Sequence, residues 1–284
     1  MKDKVKKTKN NMRYHIAAAI IFAIFLAAFL CVQMRNRGQV RYDVVVFGDS
    51  MVGLCRDETS VTAVLGEILQ RPVFSAAFGG TCMAVQDEDL EVNYTMALLN
   101  MVSLSKAIAA DDFGAQMTVR SRRAITDYFA EVIEELPQID LEKTETIVLA
   151  YGLNDYHAGI PVDNAKDPFD ENTFGGALRS VLRTMQKKYP GQRIILMTPT
   201  YTWYLANGLT CEEYVTGEAF LETYVDKMME IAAEFDVEAI DLYHDMYRHE
   251  TWEDWSLYTI DGLHPDQESR RWIAKRLAEV IETE

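Results

Sequence analysis

The sequence predicts an α/β protein: a three-layer α/β/α sandwich in which a parallel five-stranded sheet lies between two layers of helices. Five short runs are mostly apolar and rich in β-branched residues, which is typical of strands covered on both faces. Segments with apolar residues at helical spacing separate these runs, and alternating strands and helices predict a parallel sheet. Glycine and polar residues follow three of the runs, at the carboxyl ends where such sheets bind ligands.

The predicted elements follow one another along the chain. The strands are predicted at residues 43–48, 72–78, 146–151, 193–198 and 238–243. The helices are predicted at residues 59–69, 95–110, 125–136, 171–189, 218–235 and 267–281, the fourth of them after an Asp170 cap. Residues 82–140 contain no predicted strand, and this segment is longer than a crossover needs. Two interpretations remain open for it: an inserted helical cap, or an ordinary pair of crossover helices.

The N-terminal segment differs in composition from the rest. Residues 1–14 form a basic tail, residues 15–34 an apolar stretch long enough to cross a bilayer, and residues 35–41 a linker with three arginines. The apolar run is longer than that of a signal peptide and no small-residue cleavage site follows it, which favours an uncleaved transmembrane anchor. The excess of positive charge before the span predicts a cytoplasmic N-terminus, with the domain at residues 42–284 outside the cell membrane.

The charge balance excludes some partners. The chain has 28 basic and 44 acidic residues, and its net charge is −16. Residues 1–13 contain six of the basic residues and one of the acidic ones, so the remainder carries −21. Such an acidic domain does not fit a nucleic-acid partner or docking on an anionic membrane surface. No metal, nucleotide or other cofactor motif occurs, so no cofactor is expected, and the oligomeric state is left open.

The cysteines leave a second question open. Cys55, Cys82 and Cys211 lie outside the apolar stretch. Three is an odd number for an oxidising compartment, so at least one free thiol is expected. Cys55 and Cys82 either pair, if their loops meet, or are inert thiols in the core.

A serine, a histidine and an aspartate form the candidate catalytic set. Ser50 ends the stretch DVVVFGDS, directly after the first predicted strand, where it is either a helix cap or a nucleophile. His264 lies in DGLHP, and Asp261, three residues earlier, can hold one imidazole nitrogen while the other nitrogen faces the serine. A histidine in that position would remove the serine proton. His157, shortly after the third strand, either lines the same edge of the sheet or is a polar loop residue.

Three groups could donate hydrogen bonds to an oxyanion. They are the backbone N–H of Ser50, the backbone N–H of Gly80 in FGGT, and the side-chain amide of Asn154 in YGLND. These groups follow the first, second and third predicted strands, so they are expected at one edge of the sheet. Acyl transfer needs such donors, each contributing roughly 10²–10³ in rate.

The candidate residues lie in four short sequence motifs, or blocks. In their order along the chain, these blocks resemble those of the SGNH, or GDSL-type, family of esterases and lipases. Residues 48–50 match the first block of that family, and residues 152–155 match its G-x-N-D block. Residues 261–265 match the last block. The glycine of the second block matches Gly80, with Gly79 as the alternative.

The resemblance implies a fold and a set of roles. The fold would be the flavodoxin-like SGNH sandwich, and Ser50, Asp261 and His264 would form a catalytic triad. The oxyanion hole would consist of Ser50, Gly80 and Asn154. Ester hydrolysis through an acyl-serine is then the expected reaction, without a metal or other cofactor.

The substrate is less closely defined by the sequence. Tyr201 and Trp203 follow the fourth strand, where they could stack on a sugar ring or an acyl chain, and Asp49 and Asp155 are further candidates to line the substrate site. An anchored, extracytoplasmic enzyme favours small acyl esters, such as O-acetyl groups on carbohydrate. Three alternatives remain: an O-acyltransferase acting on surface polysaccharide, a lysophospholipase or lipase, and a non-catalytic glycan-binding module.

Overall fold

The computed structural model describes residues 21–22, 40–86, 95–119 and 127–283. The chain divides into the unit Met1–Val40 and the unit Arg41–Glu284. The predicted basic tail, anchor and linker lie outside the described residues, except for residues 21–22 and 40–41. Within the described ranges, no helix has both the length and the apolar character that a membrane span requires.

The second unit contains the predicted parallel five-stranded sheet, which consists of β1 (Val44–Gly48), β2 (Val73–Ala77), β3 (Thr146–Ala150), β4 (Arg193–Met197) and β7 (Glu238–Ile240). The strand order is β2-β1-β3-β4-β7. All neighbouring strands are parallel, which confirms the sequence-based prediction. Two short strands, β5 (Trp203–Tyr204) and β6 (Leu209–Thr210), form a separate antiparallel hairpin.

Both faces of the sheet are covered. Along β1, Val45 and Phe47 belong to one buried apolar cluster, whereas Val44 and Val46 belong to the other. All four side chains are fully buried because successive residues of a strand point to opposite faces. This double burial is why the strands appear in the sequence as unbroken apolar runs.

The helices form one layer on each face. One layer consists of α2 (Val61–Leu69) and α11 (Gln267–Glu282), which pack on each other. The other layer is built from α3 (Met101–Ala110), α5 (Asp127–Glu135), α7 (Phe174–Lys188) and α8 (Leu221–Glu234). Short helices lie between the larger elements along the chain: α1 (Ser50–Gly53), α4 (Gly114–Met117), α6 (Leu153–His157), α9 (Leu242–Asp245) and α10 (Trp255–Tyr258).

Three predicted boundaries were wrong because other residues form the caps. Helix α7 begins after Thr173, whose hydroxyl accepts from Gly176 N, and not after Asp170. The predicted helix at 95–110 is divided, because the Asn100 side chain accepts from Ser103 N and starts a new helix. The last strand ends at Ile240 because Asp241 caps the short helix α9.

In the described parts of residues 82–140, helices α3 and α5 contribute buried side chains to the same apolar cluster as the sheet. The two interpretations of this segment stay predictions. The structure also answers the question of the cysteines. Cys55, Cys82 and Cys211 are all free thiols, so the disulfide alternative was wrong.

Candidate active site

Ser50 lies at the carboxyl edge of the sheet, at the first position of α1. The preceding residue, Asp49, caps this short helix, because its carboxylate accepts a hydrogen bond from Met51 N at 2.9 Å. Gly48 allows the chain to pass close to β3, since a Cβ there would lie 3.0 Å from Ala150 O. The backbone N–H of Ser50 is among the first amides of a helix, which have no intrahelical acceptor.

The predicted triad residues form a continuous hydrogen-bonded chain. Ser50 Oγ lies 2.9 Å from His264 Nε2, and His264 Nδ1 lies 2.7 Å from Asp261 Oδ2. The other carboxylate oxygen of Asp261 accepts from the backbone N–H groups of Leu263 and His264. Partial burial alone would raise the pKa of Asp261, but the hydrogen bonds from His264 and Leu263 hold that pKa below its ordinary value. The carboxylate is therefore charged and able to orient the imidazole.

The loop that carries His264 is held by the hairpin strand β5. Trp203 N donates to Gly262 O at 2.8 Å, and a Cβ on Gly262 would lie only 2.3 Å from Trp203 O. Gly262 has φ +89°, a conformation that favours glycine. Ile260 N donates to His264 O, which closes the loop around the histidine.

Tyr201 and Trp203 do not form the predicted stacking surface. Each side chain is only 1% exposed, which leaves no face for a substrate ring. The Tyr201 ring contacts the rings of Trp203 and Tyr243 and is stacked on the His249 ring, with a centroid distance of 3.9 Å. Both side chains are part of the buried apolar core, so the prediction that they contact substrate is corrected.

The turn after β2 lies beside Ser50, since a Cβ on Gly79 would lie 3.6 Å from Ser50 Cβ, and it contains three successive backbone amides. Gly79 N donates to the hydroxyl of Tyr128 at 2.9 Å, and Thr81 N donates to Phe78 O. Among the described residues, the N–H of Gly80 between them has no hydrogen-bond partner. Gly80, with φ +76°, therefore fits the role of a hole donor better than the alternative Gly79.

Asn154 lies near the start of α6, beside this turn. Its side-chain amide donates to Asp49 Oδ2 and to Thr81 O, both at 3.1 Å. These bonds join the first three predicted blocks. Both amide hydrogens are directed at protein acceptors, so donation to an oxyanion requires that one of these bonds be shared or exchanged.

Asp49 and Asp155 are buried in the protein and do not line a substrate surface. Asp49 is 1% exposed and Asp155 is fully buried, which corrects the prediction that they bind substrate. Asp155 accepts from Met83 N and Ala84 N, each at 2.9 Å, and so ties α6 to the segment after β2. Burial raises the pKa of Asp49 to about 7 and that of Asp155 to about 6.

His157 also lies in this region, at the end of α6. Its Nε2 is 3.0 Å from the hydroxyl of Tyr204 in β5. Burial, with a smaller effect of the nearby His264, lowers the pKa of His157 to about 4, so the His157 imidazole is neutral at physiological pH. Among the described residues, no group of three or more His, Cys, Asp and Glu side chains could hold a metal ion.

Sequence reasoning missed Tyr128, whose hydroxyl lies beside the turn of Gly79. It belongs to α5, in the segment for which no motif is recognised, and its contact depends on how that helix packs on the sheet. No local pattern in the sequence could have identified it.

The fold and the site geometry define an α/β serine hydrolase, an enzyme that acts on carboxylic esters. The chain belongs to the GDSL-like lipase/acylhydrolase family, whose model matches residues 46–272. This confirms the resemblance inferred from the four blocks.

Similar folds occur in solved structures. A protein from Lactobacillus plantarum is 18% identical, with a TM-score of 0.61, and the match covers 86% of this chain and 98% of the other. A possible lipase from Chitinophaga pinensis is also 18% identical, with a TM-score of 0.53, covering 84% of this chain and 96% of the other. At this identity the likeness shows the fold alone. A search of curated proteins gives no match for this chain.

Proposed function

We propose that Ser50, His264 and Asp261 hydrolyse esters through an acyl-serine intermediate. The observation that supports this most strongly is the 2.9 Å distance between Ser50 Oγ and His264 Nε2, with Asp261 on the far side of the ring. A serine that only capped a helix would not need a histidine at hydrogen-bonding distance from its hydroxyl.

In the first half of the reaction, His264 Nε2 takes the Ser50 proton while Oγ attacks the ester carbonyl carbon. The carbonyl oxygen becomes an oxyanion, which the N–H groups of Ser50 and Gly80 and the Asn154 amide would stabilise. The C–O bond to the alcohol then breaks, and His264 returns the proton to the leaving oxygen. The acyl group remains on Ser50.

In the second half, a water molecule gives a proton to His264 and attacks the acyl carbon. The second oxyanion collapses, Ser50 regains its proton from His264, and a carboxylic acid leaves. Asp261 stabilises the imidazolium that forms in each half without becoming protonated itself.

We further propose that the enzyme is anchored outside the cell membrane by residues 15–34 and removes small acyl groups, such as O-acetyl groups on carbohydrate. The support is the apolar N-terminal stretch and its flanking charges. Because Tyr201 and Trp203 are buried, the preference for carbohydrate rests on this location alone. The O-acyltransferase alternative uses the same residues and differs only in the acceptor.

A second candidate, a lipase-like preference for longer acyl chains, is favoured by apolar side chains around the His264 loop. Ile260, directly before Asp261, is 57% exposed, and Leu205, whose side chain lies beside Gly262, is 40% exposed. Exposed apolar residues next to a reacting centre could bind a hydrocarbon chain.

The experiment compares p-nitrophenyl esters of increasing acyl length with acetylated glycans, using the wild type and Ser50→Ala. We expect hydrolysis by the wild type and none above background by Ser50→Ala, which should retain its thermal stability. Highest kcat/KM with acetyl esters would support deacetylation, whereas a rise with chain length would support the lipase-like candidate. Equal activity of Ser50→Ala and the wild type would contradict the mechanism.

A further inference from the structure

We propose that Tyr128 is a positioning residue for the oxyanion hole. Its hydroxyl holds the turn after β2 so that the N–H of Gly80 faces the reacting carbonyl. The inference rests on the proposed esterase mechanism, and it gives a role to a residue of α5 that no motif includes.

The contacts of Tyr128 place it directly behind the turn. Its hydroxyl oxygen accepts from Gly79 N at 2.9 Å. A Cβ on Gly79 would lie 3.1 Å from that oxygen and 3.6 Å from Ser50 Cβ, so Gly79 separates the tyrosine from the nucleophile. The same oxygen lies 3.2 Å from the Cβ position of Gly53, at the end of α1. Tyr128 therefore lies beside two of the three segments that carry the proposed hole donors, α1 and the turn after β2.

These contacts determine which amide is available to a ligand. Gly79 N is used by Tyr128 and Thr81 N by Phe78 O, which leaves Gly80 N as the donor between them. Glycine backbones have wide conformational freedom, so two adjacent glycines can change the direction of the peptide between them. Without an acceptor for Gly79 N, the turn would lose the bond that holds Gly80 N in its direction.

Arg56 holds Tyr128 in this position. Its guanidinium lies 4.9 Å from the centroid of the Tyr128 ring, within range of a cation–π interaction. Its Nη1 also donates to Ser75 Oγ at 2.8 Å. Ser75 belongs to β2, the strand that leads into the turn, so the ring is tied to the same strand whose end it orients.

A positioning role differs measurably from a purely structural one. The oxyanion exists in the transition state and not in the bound ester, so a misdirected donor lowers kcat and leaves KM nearly unchanged. A contact that only stabilises the fold would lower the melting temperature without this selective loss.

The test uses Tyr128→Phe in the full chain, with p-nitrophenyl acetate as substrate. We expect kcat to fall about 10- to 100-fold, because misplacing a catalytic group by about 1 Å has effects of this size, while KM changes less than about 2-fold. An alkylboronic acid, which forms a tetrahedral adduct with a catalytic serine, should bind more weakly by a similar factor. The matched control is Tyr189→Phe, a half-buried tyrosine after α7, which should leave both measurements unchanged.

A second variant, Arg56→Gln, removes the cation–π interaction with the Tyr128 ring and leaves Tyr128 itself unchanged. We expect a smaller loss of kcat in the same direction, and no added loss when it is combined with Tyr128→Phe. If Tyr128→Phe does not fold, Arg56→Gln decides the question, and unchanged kcat there overturns the proposal. Wild-type kcat and boronate affinity in a folded Tyr128→Phe also overturn it. A wild-type chain inactive on every ester would instead contradict the proposed function.

Discussion

At the residue scale, the His264 imidazole lies between two different oxygens. The Asp261 carboxylate accepts from Nδ1–H at 2.7 Å, which leaves the lone pair of Nε2 directed at the Ser50 hydroxyl at 2.9 Å. The tautomer follows from this network, because a charged carboxylate can only accept. Asp261, three positions earlier in the sequence, therefore determines that Nε2 of His264 is the nitrogen that can accept the Ser50 proton.

Asn154 should contribute to the reaction through its side-chain amide. We expect Asn154→Ala to raise the activation free energy by about 2.7–4 kcal/mol, because it removes one donor to the oxyanion. The measurement is kcat on p-nitrophenyl acetate. Thermal unfolding is the control, since the lost bonds to Asp49 and Thr81 also affect stability. Full turnover in the variant would show that Asn154 is not a hole donor.

His157 makes the stability of the fold depend on pH. Its pKa in the folded protein, about 4, lies below the ordinary value of 6.5, so the unfolded chain binds a proton that the fold does not. The stabilisation is therefore complete above pH 6.5 and is lost as the pH falls towards 4. His157→Gln, which can still bond to Tyr204, should reduce the loss of unfolding free energy between pH 7 and pH 4.5 by about 1–3 kcal/mol.

Urea unfolding at several pH values measures this effect. The buried Asp49 and Asp155, whose raised pKa values change stability in the opposite direction over an overlapping range, are present in both proteins, so the comparison isolates His157. Parallel curves for the wild type and the variant would rule out the assigned protonation state.

At the scale of elements, two short segments make hydrogen bonds that hold parts of the site in place. Helix α6 is tied to the turn after β2 through Asp155, which accepts from Met83 N and Ala84 N. Strand β5 is tied to the His264 loop through Trp203 and Gly262. The large helices cover the sheet, whereas these small elements determine how the reacting groups meet.

Substitution of Gly262 tests the contact between strand β5 and the His264 loop. Gly262→Ala would place a Cβ 2.3 Å from Trp203 O at φ +89°, so we expect a loss of about 1–3 kcal/mol in unfolding free energy together with a lower kcat. Gly191→Ala is the matched control, because Gly191 has φ +83° but no atom within 4 Å of its Cβ position. It should lose stability without losing kcat. Equal kcat in both variants would mean that the tie to β5 does not position His264.

The sequence predicted which helices and strands are present better than it predicted the residues at which each one begins and ends. The strands were predictable because sheets covered on both faces need continuous apolar runs. The start of α7 was not predictable from the sequence, since Asp170 and Thr173 are both suitable N-cap residues. In the folded structure the cap is Thr173. Likewise, Asp49 follows a strand end as expected, but its orientation into the protein depends on long-range hydrogen bonds. Local patterns locate reactive residues without showing which way each one faces.

At the scale of the whole molecule, the chain divides at residue 40 into an N-terminal unit and the unit that contains the site. All members of the proposed triad and oxyanion hole lie in the second unit. The first unit carries the apolar stretch proposed as the anchor. The proposed anchor and the proposed catalytic residues therefore lie in separate parts of the sequence.

A chain that begins at residue 41 should therefore keep the reaction and lose the anchor. We expect the full chain in the membrane fraction and the shortened chain in the supernatant, with kcat on p-nitrophenyl acetate equal within about 2-fold, because no proposed catalytic residue is removed. Ultracentrifugation and activity assays measure the two properties. A full chain found in the supernatant would contradict the anchor.

The nucleophile and its base are separated by 214 positions in sequence, yet their side chains touch in the folded unit. During synthesis, Ser50 therefore emerges from the ribosome long before His264. A chain that stops before residue 264 would carry the proposed nucleophile without its proposed base, so we expect it to hydrolyse no ester.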